Sequence, residues 1–288
     1  MENLSNIETI KDICKRYGFE FTKSLGQNFL INPNVCPELV QMGNIDENTG
    51  VIEIGTGFGV LTAELCKSAK KVVAIEIDTK LIRVLKETLA PYDNVKVINA
   101  DVLKLDLAEL IKEEFEGMEV CVCANLPYYI TSPIIMSLLE ERLPIKSITV
   151  MVQKEAAIRL CAQMGTRACG AVTAAVRYYS EPQILFEVSR DSFMPSPNVD
   201  SSVIRLDVRD QTPQNLASEE HFFKLVKASF SQRRKTLANP VSAAFCVKKS
   251  DLLELMEKVS LKRTARAEEL SFEEFIALSN EMFENGIK

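Results

Sequence analysis

The sequence predicts an α/β fold in which a mostly parallel sheet with an antiparallel edge is followed by a small, all-helical C-terminal domain. Apolar, β-branched runs alternate with segments whose apolar residues recur every three or four positions, which are the patterns of buried strands and amphipathic helices. Strands that alternate with helices are typical of a parallel sheet covered on both faces. Beyond residue 208 the strand pattern ends, and helical patterns continue through the rest of the chain.

Five runs are predicted as the parallel strands, and segments such as "VLTAELCKSA" and "TKLIRVLKETLA" supply helices between them. The runs are "VIEIG" (51–55), "KVVAIEID" (71–78), "VKVINAD" (95–101), "VCVCANL" (120–126) and "SITVMVQ" (147–153). The first three end in a glycine-rich turn, a glutamate and an aspartate, so we expect a ligand to bind at the carboxyl edge of the sheet.

Two further β-like runs predict the antiparallel edge. Residues 182–189 and 201–208 are separated by the proline-bearing "RDSFMPSPNVD", which has no convincing helical pattern, so we expect the two runs to pair with each other. The polar stretch that follows is interpreted as a linker. We therefore place a sheet domain at 1–208 and a helical domain at 209–288.

The composition narrows the classes of function. The longest apolar runs are far shorter than the roughly 18 to 20 residues of a membrane span, and the N-terminus lacks the apolar core of a signal peptide, so we expect a cytoplasmic protein with no membrane partner. The eight cysteines include no Cys-x-x-Cys pair, which favours reduced thiols over a zinc site, and we expect no metal. His221 is the only histidine and lies in a helical pattern, which argues against histidine-driven catalysis. No apolar heptad is apparent, so we expect a monomer.

The charge distribution separates the two parts of the chain. The net charge of -6 argues weakly against a nucleic-acid partner, because a polyanion usually requires a basic surface. Basic residues nevertheless cluster in the C-terminal part, in "SQRRK" (231–235), "VKK" (247–249) and "LKRTAR" (261–266). By itself, each cluster is more typical of a solvated surface than of an RNA site.

The segment "VIEIGTGFGVLTAEL" predicts a strand, a glycine-rich turn and a helix. It contains Glu53 and the glycines Gly55, Gly57 and Gly59. Glycine permits a left-handed backbone and close approach of a ligand, and the helix N-terminus offers free N–H groups. The spacing differs from the G-x-G-x-x-G of dinucleotide-binding folds. The motif alone is also compatible with a simple strand-to-helix turn.

Acidic residues end the next two strands. Glu76 follows Gly55 by 21 residues and could accept hydrogen bonds from both hydroxyls of a ribose; Asp78 ranks second for this role. Asp101 ends the third strand, where its carboxylate could accept a hydrogen bond from an adenine amine. These residues predict an adenosine-bearing cofactor, but they do not distinguish a nicotinamide dinucleotide from S-adenosylmethionine.

The fourth strand runs into "NLPYYITSP", which favours methyl transfer. The side-chain oxygen of Asn125 and the carbonyl oxygen of Leu126 make two neighbouring acceptors, suited to an amino group with two hydrogens, and Pro127 holds the turn rigid. Tyr128 offers a flat surface on which an unstacked base could lie. A sulfonium loses its charge when it gives up a methyl group, so no strong general base is needed. The alternative is a loop with a capping Asn and a packed tyrosine.

Together these motifs resemble the KsgA-type (RsmA) small-subunit rRNA adenine dimethyltransferases. The glycine turn, the acid after the second strand, "AD" after the third and "NLPY" after the fourth are shared with adenine-N6 methyltransferases of rRNA in general. Five further segments carry the closer likeness: "KSLGQNFL" (23–30), "QKEAAIRL" (153–160), "FMPSPNVDSSVIRL" (193–206), "FSQRRKTLANP" (230–240) and "RAEELSFEEF" (266–275). The resemblance runs from about residue 11 to residue 278 and implies a class I, S-adenosylmethionine-dependent methyltransferase fold.

The resemblance assigns roles to matching residues. Gln27, Asn28 and Leu30 would cover the methionine and sulfonium end of the cofactor, and the glycine turn would approach its carboxylate. Asn125 would serve both the cofactor and the target base. Phe193 would be a second aromatic side chain against the flipped target base, opposite Tyr128; its alternative role is to anchor a proline-rich loop. Glu53 belongs to the glycine motif and is a further cofactor-binding candidate.

The resemblance also implies a substrate. Members of the family transfer two methyl groups to each of two adjacent adenines near the 3′ end of small-subunit rRNA, during subunit maturation. The helical domain would grip the rRNA through Arg233, Arg234 and Lys235, and we add Lys248 and Lys249 of the second basic cluster as candidates.

Three other interpretations compete with this one. An Erm-type methylase of large-subunit rRNA is the nearest, although Erm proteins tend to have Asn-Ile-Pro-Tyr in place of "NLPYYITSP". A non-catalytic ribosome assembly factor would use the same fold to bind rRNA. A nicotinamide oxidoreductase is the most distant.

Overall fold

The structure is a computed structural model that describes residues 4–19, 27–213 and 215–288. Its contacts divide the chain into two compact units. The first comprises the chain up to Ala157 together with Ser180–Val208, and the second comprises Ile158–Tyr179 and Arg209–Lys288.

The helices and strands follow one another in chain order. The N-terminal half contains α1 (Ile7–Tyr17), β1 (Phe29–Leu30), α2 (Val35–Met42), β2 (Thr49–Ile54), α3 (Val60–Ser68), β3 (Lys71–Glu76), α4 (Thr79–Thr88), β4 (Val95–Asn99), α5 (Leu107–Glu114), β5 (Glu119–Asn125), α6 (Thr131–Glu140) and β6 (Ser147–Gln153). The remainder contains α7 (Lys154–Leu160), α8 (Ala171–Tyr179), β7 (Ser180–Val188), β8 (Phe193–Met194), β9 (Ser201–Val208), α9 (Glu219–Phe230), α10 (Ala238–Ala244), α11 (Lys249–Lys258) and α12 (Phe272–Glu284).

A seven-stranded sheet of order β4-β3-β2-β5-β6-β9-β7 forms the centre of the first unit. The five strands from β4 to β6 are parallel, and β9 runs antiparallel to both β6 and β7. All six residues of β2 are buried, as expected for a strand covered on both faces. The predicted α/β class, with its mostly parallel sheet and antiparallel edge, is confirmed.

The order of the strands creates a crevice at the carboxyl end of β2. From β2 the chain continues to β3 and β4 on one side of the sheet, and it returns to β5 and β6 on the other side. The loops after β2 and β5 therefore leave the sheet in diverging directions, and open α/β sheets bind ligands at this point. A separate two-stranded ladder pairs Leu30 of β1 with Phe193 of β8.

The second unit is helical and has an aromatic core. Tyr178 stacks against Phe222, with ring centroids 5.8 Å apart, and Phe222 meets Phe272 edge to face. The hydroxyls of Tyr178 and Tyr179 both donate hydrogen bonds to the carboxylate of Glu219, at 3.1 and 2.7 Å. These contacts bind α8 to α9. They group Ile158–Tyr179 with the C-terminal helices, which the sequence pattern does not anticipate.

Within the described residues, none of the helices combines the length and the apolar character needed to cross a membrane.

Candidate active site

A cavity opens at the carboxyl ends of β2, β3 and β5. Most of the residues predicted to bind cofactor or target line it: Gln27, Asn28, Leu30, Glu53, Gly55, Gly57, Glu76, Asn125, Leu126, Pro127 and Tyr128. Their convergence follows from the parallel register of the three strands, which brings side chains distant in sequence to one edge. Residues 23–26 of the "KSLGQNFL" segment lie outside the described residues.

The glycine turn after β2 has a left-handed backbone. The φ angles of Gly55, Gly57 and Gly59 are 76°, 57° and 86°. A Cβ atom at Gly57 would also come within 3.0 Å of the ring of Phe29, so both backbone and space favour glycine there. Gly59 is the N-cap of α3 and starts the helix outside the cavity lining.

The carboxylate of Glu76 holds the turn in place. Its Oε2 accepts hydrogen bonds from Gly57 N at 3.0 Å and from the Thr56 hydroxyl at 3.2 Å, and its Oε1 accepts one from Asp78 N at 2.9 Å. Glu76 is buried, and burial raises the pKa of its carboxyl group above the ordinary value despite these hydrogen bonds. Oε1 accepts only one of these hydrogen bonds and has acceptor capacity left, so a ribose hydroxyl can still be bound there.

Asp78 positions the N-terminal segment of the cavity. Its Oδ1 caps α4 by accepting a hydrogen bond from Lys80 N at 3.0 Å, and its Oδ2 accepts one from Gln27 Nε2 at 2.9 Å. The structure therefore shows Asp78 engaged with Gln27, whereas the sequence offered it as a second ribose acceptor.

Glu53 lines the cavity with an unpaired oxygen. The residue is 1% exposed, and its Oε2 has no hydrogen-bond partner among the described residues. Burial raises the pKa of its carboxyl group to about 8, and the charge of Glu76 adds to the rise. An orphaned buried oxygen in a cavity is a site where a ligand donor fits.

Asn125 ends β5 with its side chain at the cavity. Its Nδ2 donates a hydrogen bond to the backbone oxygen of Asn28, at 3.4 Å, which leaves Oδ1 as an acceptor. The last residue pair between β5 and β6 joins Asn125 to Met151, so the carbonyl of Leu126 lies beyond the strand ladder. The turn closes through a hydrogen bond from Ile130 N to Pro127 O, 3.1 Å long.

Aromatic side chains form part of the cavity wall. Tyr128 is half-buried, and its hydroxyl lies 2.8 Å from the Ser201 hydroxyl. Phe29 and Phe58 stack with ring centroids 4.1 Å apart. Tyr129 also lines the cavity and is 60% exposed. Phe29, Phe58 and Tyr129 are not among the residues predicted from the sequence, although they lie in "GQNFL", in the glycine turn and in "NLPYY", which made them recognisable.

Besides Gly59, two predicted site residues, Phe193 and Asp101, lie outside the cavity lining. Phe193 is 3% exposed and packs in the apolar core with Val188 and Val203, so its ring has no free face for a base. This is the anchoring role given as the alternative. Asp101 accepts a hydrogen bond from Leu103 N at 3.2 Å and pairs with Lys104 at 3.3 Å. Its carboxylate caps a short 3₁₀ helix, and contact with an adenine amine stays a prediction.

The basic residues predicted to bind RNA differ in the contacts that their side chains make within the protein. Arg233 donates hydrogen bonds to the carbonyls of Arg167 and Cys169, at 2.7 and 3.2 Å, and lies 3.5 Å from the Glu268 carboxylate. It therefore stabilises the second unit internally. The Arg233 side chain is nevertheless 44% exposed, and the side chains of Arg234, Lys235, Lys248 and Lys249 are exposed as well.

The described residues contain no group of three or more His, Cys, Asp or Glu side chains placed to hold a metal ion. All eight cysteines are free thiols.

The sheet order, the glycine turn, Glu76 and the Asn-Leu-Pro-Tyr turn define a class I, S-adenosylmethionine-dependent methyltransferase. Residues 18–283 match the family model of the ribosomal RNA adenine dimethylases, and the chain belongs to this family. The family inferred from the sequence motifs is confirmed.

Three comparisons place the chain among known proteins. A protein of Clostridioides difficile named "Ribosomal RNA small subunit methyltransferase A" is 47% identical over 280 residues, which cover 97% of each chain. The structure of a dimethyladenosine transferase from Plasmodium falciparum is 29% identical with a TM-score of 0.74, and the match covers 90% of this chain and 98% of that one. The structure of the 23S rRNA methyltransferase ErmE is 23% identical with a TM-score of 0.69, covering 89% of this chain and all of ErmE, and shares the fold.

We predict that the stability of the protein falls as the pH rises through the titration of Glu53. Between the ordinary carboxyl pKa of 4.5 and the folded-state pKa of about 8, the folded protein holds a proton that the unfolded chain releases. The free energy of unfolding therefore decreases with pH in this window, by a few kcal/mol at most, since one pKa unit corresponds to about 1.4 kcal/mol.

Urea denaturation between pH 5 and pH 9 measures this effect. Glu53→Gln should remove the Glu53 contribution and gain stability relative to the native protein as the pH approaches 8. Glu47→Gln, at an exposed glutamate, is the matched control and should follow the native pH dependence. A parallel pH dependence in native protein and Glu53→Gln would show that the buried carboxyl does not titrate in this window.

Proposed function

We propose that this protein dimethylates N6 of two adjacent adenosines near the 3′ end of small-subunit rRNA, using S-adenosylmethionine, during assembly of the subunit. The observation that carries the proposal is the position of Asn125, which lines the same cavity as Glu76 and Tyr128 and has its Nδ2 bound to the backbone oxygen of Asn28. Full-length identity of 47% to a small-subunit methyltransferase, against 23% to ErmE, supports the small-subunit substrate over the Erm-type alternative.

The cavity fits S-adenosylmethionine. Glu76 would accept hydrogen bonds from the ribose hydroxyls. The unpaired Oε2 of Glu53 would accept a hydrogen bond from the methionine end of the cofactor. Around that end would lie Gln27, Asn28 and Leu30. A ligand that carries positive charge would also favour the ionised form of Glu53, whose pKa burial raises to about 8. When bound, this cofactor supplies an electrophilic methyl group on a sulfonium that becomes neutral on transfer.

Asn125, Leu126 and Tyr128 would prepare the target amine. An adenine amine is a poor nucleophile, because its lone pair is delocalised into the ring. Acceptance of its two hydrogens by Asn125 Oδ1 and the Leu126 carbonyl favours the pyramidal nitrogen that attack requires. Tyr128 would stack on the flipped base. This stacking would compensate part of the free energy that is lost when the base leaves its neighbours in the RNA.

The second unit would contact the rRNA. Its exposed basic residues, above all Arg234 and Lys235, would bind phosphates, whereas Arg233, which donates hydrogen bonds to carbonyl oxygens of its own unit, would support them. The first unit would then present the flipped adenine to the cofactor. A cytoplasmic, monomeric enzyme that acts on a partly assembled particle is consistent with this division of roles.

The first test is transfer of label from S-adenosylmethionine to purified small and large ribosomal subunits that lack these modifications, followed by nucleoside analysis. We expect dimethyladenosine in the small-subunit sample alone. Label in the large subunit would move the protein to the Erm-type activity. S-adenosylhomocysteine binding without any transfer would identify a non-catalytic assembly factor, and binding of a nicotinamide dinucleotide instead would indicate an oxidoreductase.

Asn125→Ala should reduce the rate of methyl transfer by roughly 100-fold or more, because it removes one preorganised polar group that acts on the reacting amine. Single-turnover transfer to small subunits measures the rate, and calorimetric titration with S-adenosylhomocysteine measures the cofactor half of the site. The dissociation constant for S-adenosylhomocysteine should change much less than the rate. Near-normal turnover in this variant would contradict the proposed role of Asn125.

Arg234→Ala/Lys235→Ala should weaken RNA binding and flatten its salt dependence, by roughly one unit of the logarithmic slope for each phosphate that is no longer bound. Binding to small-subunit rRNA is measured over a range of salt concentrations. Lys70→Ala/Lys112→Ala removes the same charge from exposed positions of the first unit and is the matched control. An unchanged slope in the first variant would exclude both residues as phosphate ligands.

A further inference from the structure

The aromatic side chain that faces the target base in the proposed function lies on a turn and not on a strand or a helix. Tyr128 follows the end of β5 at Asn125 and precedes α6, which begins at Thr131. The hydrogen bond from Ile130 N to Pro127 O closes the backbone of this turn. The direction of the Tyr128 ring then depends on its χ1 angle and on what the far end of the ring contacts.

Ser201 contacts that far end. Its hydroxyl and the hydroxyl of Tyr128 are 2.8 Å apart, within hydrogen-bond distance. Ser201 is the first residue of β9 and is 0% exposed. It pairs with Gln153 of β6 on one side and with Val188 of β7 on the other. The ring of Tyr128 is therefore tied to a strand that has a neighbour on both sides.

We propose that Ser201 is a positioning residue for methyl transfer. By holding the Tyr128 hydroxyl it fixes the direction of the ring axis, while packing around the half-buried ring fixes its plane. The target base, stacked on this ring, then presents its N6 amine to Asn125. The inference rests on the proposed function and adds to it a residue from the antiparallel edge of the sheet, 73 positions away in sequence.

Ser201 acts through Tyr128 and not on the reacting atoms, because it is fully buried and is not among the residues that line the cavity. The phenol itself serves as an anchor. Burial raises the pKa of Tyr128 above its ordinary value, against the opposing effect of the Ser201 hydrogen bond, so the hydroxyl stays neutral at physiological pH.

The test is a double-mutant cycle on Ser201 and Tyr128. Ser201→Ala and Tyr128→Phe each remove the hydrogen bond and keep the aromatic ring. Each should lower kcat roughly 10-fold, because misplacement of reacting groups by about 1 Å can cost about 100-fold. The dissociation constant for S-adenosylhomocysteine should not change. The double variant should be no slower than the slower single variant, because both changes remove the same interaction.

Two further variants separate positioning from a purely structural role. Ser201→Thr keeps a hydroxyl on the strand and should restore most of the rate. Ser202→Ala is the matched control, because Ser202 is the adjacent residue, is 1% exposed and projects from the opposite face of β9. Its kcat should equal that of the native protein.

The outcomes distinguish this inference from the proposed function. If the native protein transfers no methyl groups to small subunits, the proposed function fails. If the native protein is active and Ser201→Ala has an unchanged kcat, with or without a lower melting temperature, the positioning role is overturned. The positioning role is also overturned if the decrease in kcat of the double variant equals the product of the decreases in the two single variants, since Ser201 would then act through a contact other than Tyr128. If Ser201→Ala does not fold, the kcat of Tyr128→Phe is the deciding measurement. A kcat equal to that of the native protein in this variant would overturn the inference.

Discussion

The carboxylate of Glu76 is the interaction on which the cavity depends. It joins the glycine turn after β2 to the turn after β3, because it accepts hydrogen bonds from Gly57, Thr56 and Asp78. Asp78 in turn holds Gln27, so the N-terminal segment is connected to the same carboxylate. One buried side chain thus sets the relative positions of three chain segments that meet a ligand. Loss of this group would disturb the shape of the crevice as well as its affinity.

The two buried carboxyl groups that line the crevice also determine which ligands it accepts. Burial disfavours the charged form of Glu53 and of Glu76, which is why the pKa of each is raised. A ligand that brings hydrogen-bond donors and positive charge relieves that cost, whereas an anionic ligand would increase it. The electrostatics of the site therefore favour a cationic nucleoside over a dinucleotide diphosphate, a distinction that the spacing of the glycines could not make.

The fold and the centre of the site could be predicted from sequence because both depend on local patterns. Buried strands, their alternation with helices and the polar residue at each strand end are visible in short windows, and parallel register then brings Glu76 and Asn125 together. Contacts between distant segments are not visible in this way. Arg233 looked like a free phosphate ligand, yet it bonds carbonyls more than 60 positions earlier.

Contacts between segments distant in sequence also account for features of Phe193 and helix α8 that local patterns do not show. Phe193 lies in the proline-bearing segment between β7 and β9, and neither its pairing with β1 nor the burial of its ring is visible in that segment alone. Asp101 has the residue type and position of a ligand, and its carboxylate also accepts a hydrogen bond from the backbone two residues later, a contact that the residue type does not reveal. Helix α8 packs with the C-terminal helices through Glu219, a partner that no local pattern indicates.

The side-chain amide of Asn125 divides its two ends between two tasks. Nδ2 is bound to the backbone oxygen of Asn28, so the rotation of the amide is set and Oδ1 is directed elsewhere. A carboxylate of the same shape would accept hydrogen bonds more strongly, but it has no N–H to offer Asn28 and would place two negative oxygens against a backbone carbonyl. It would also gain and lose a proton with changing acidity. The choice of asparagine at the end of β5 therefore gives an acceptor whose direction is fixed and whose strength does not vary with the surrounding pH.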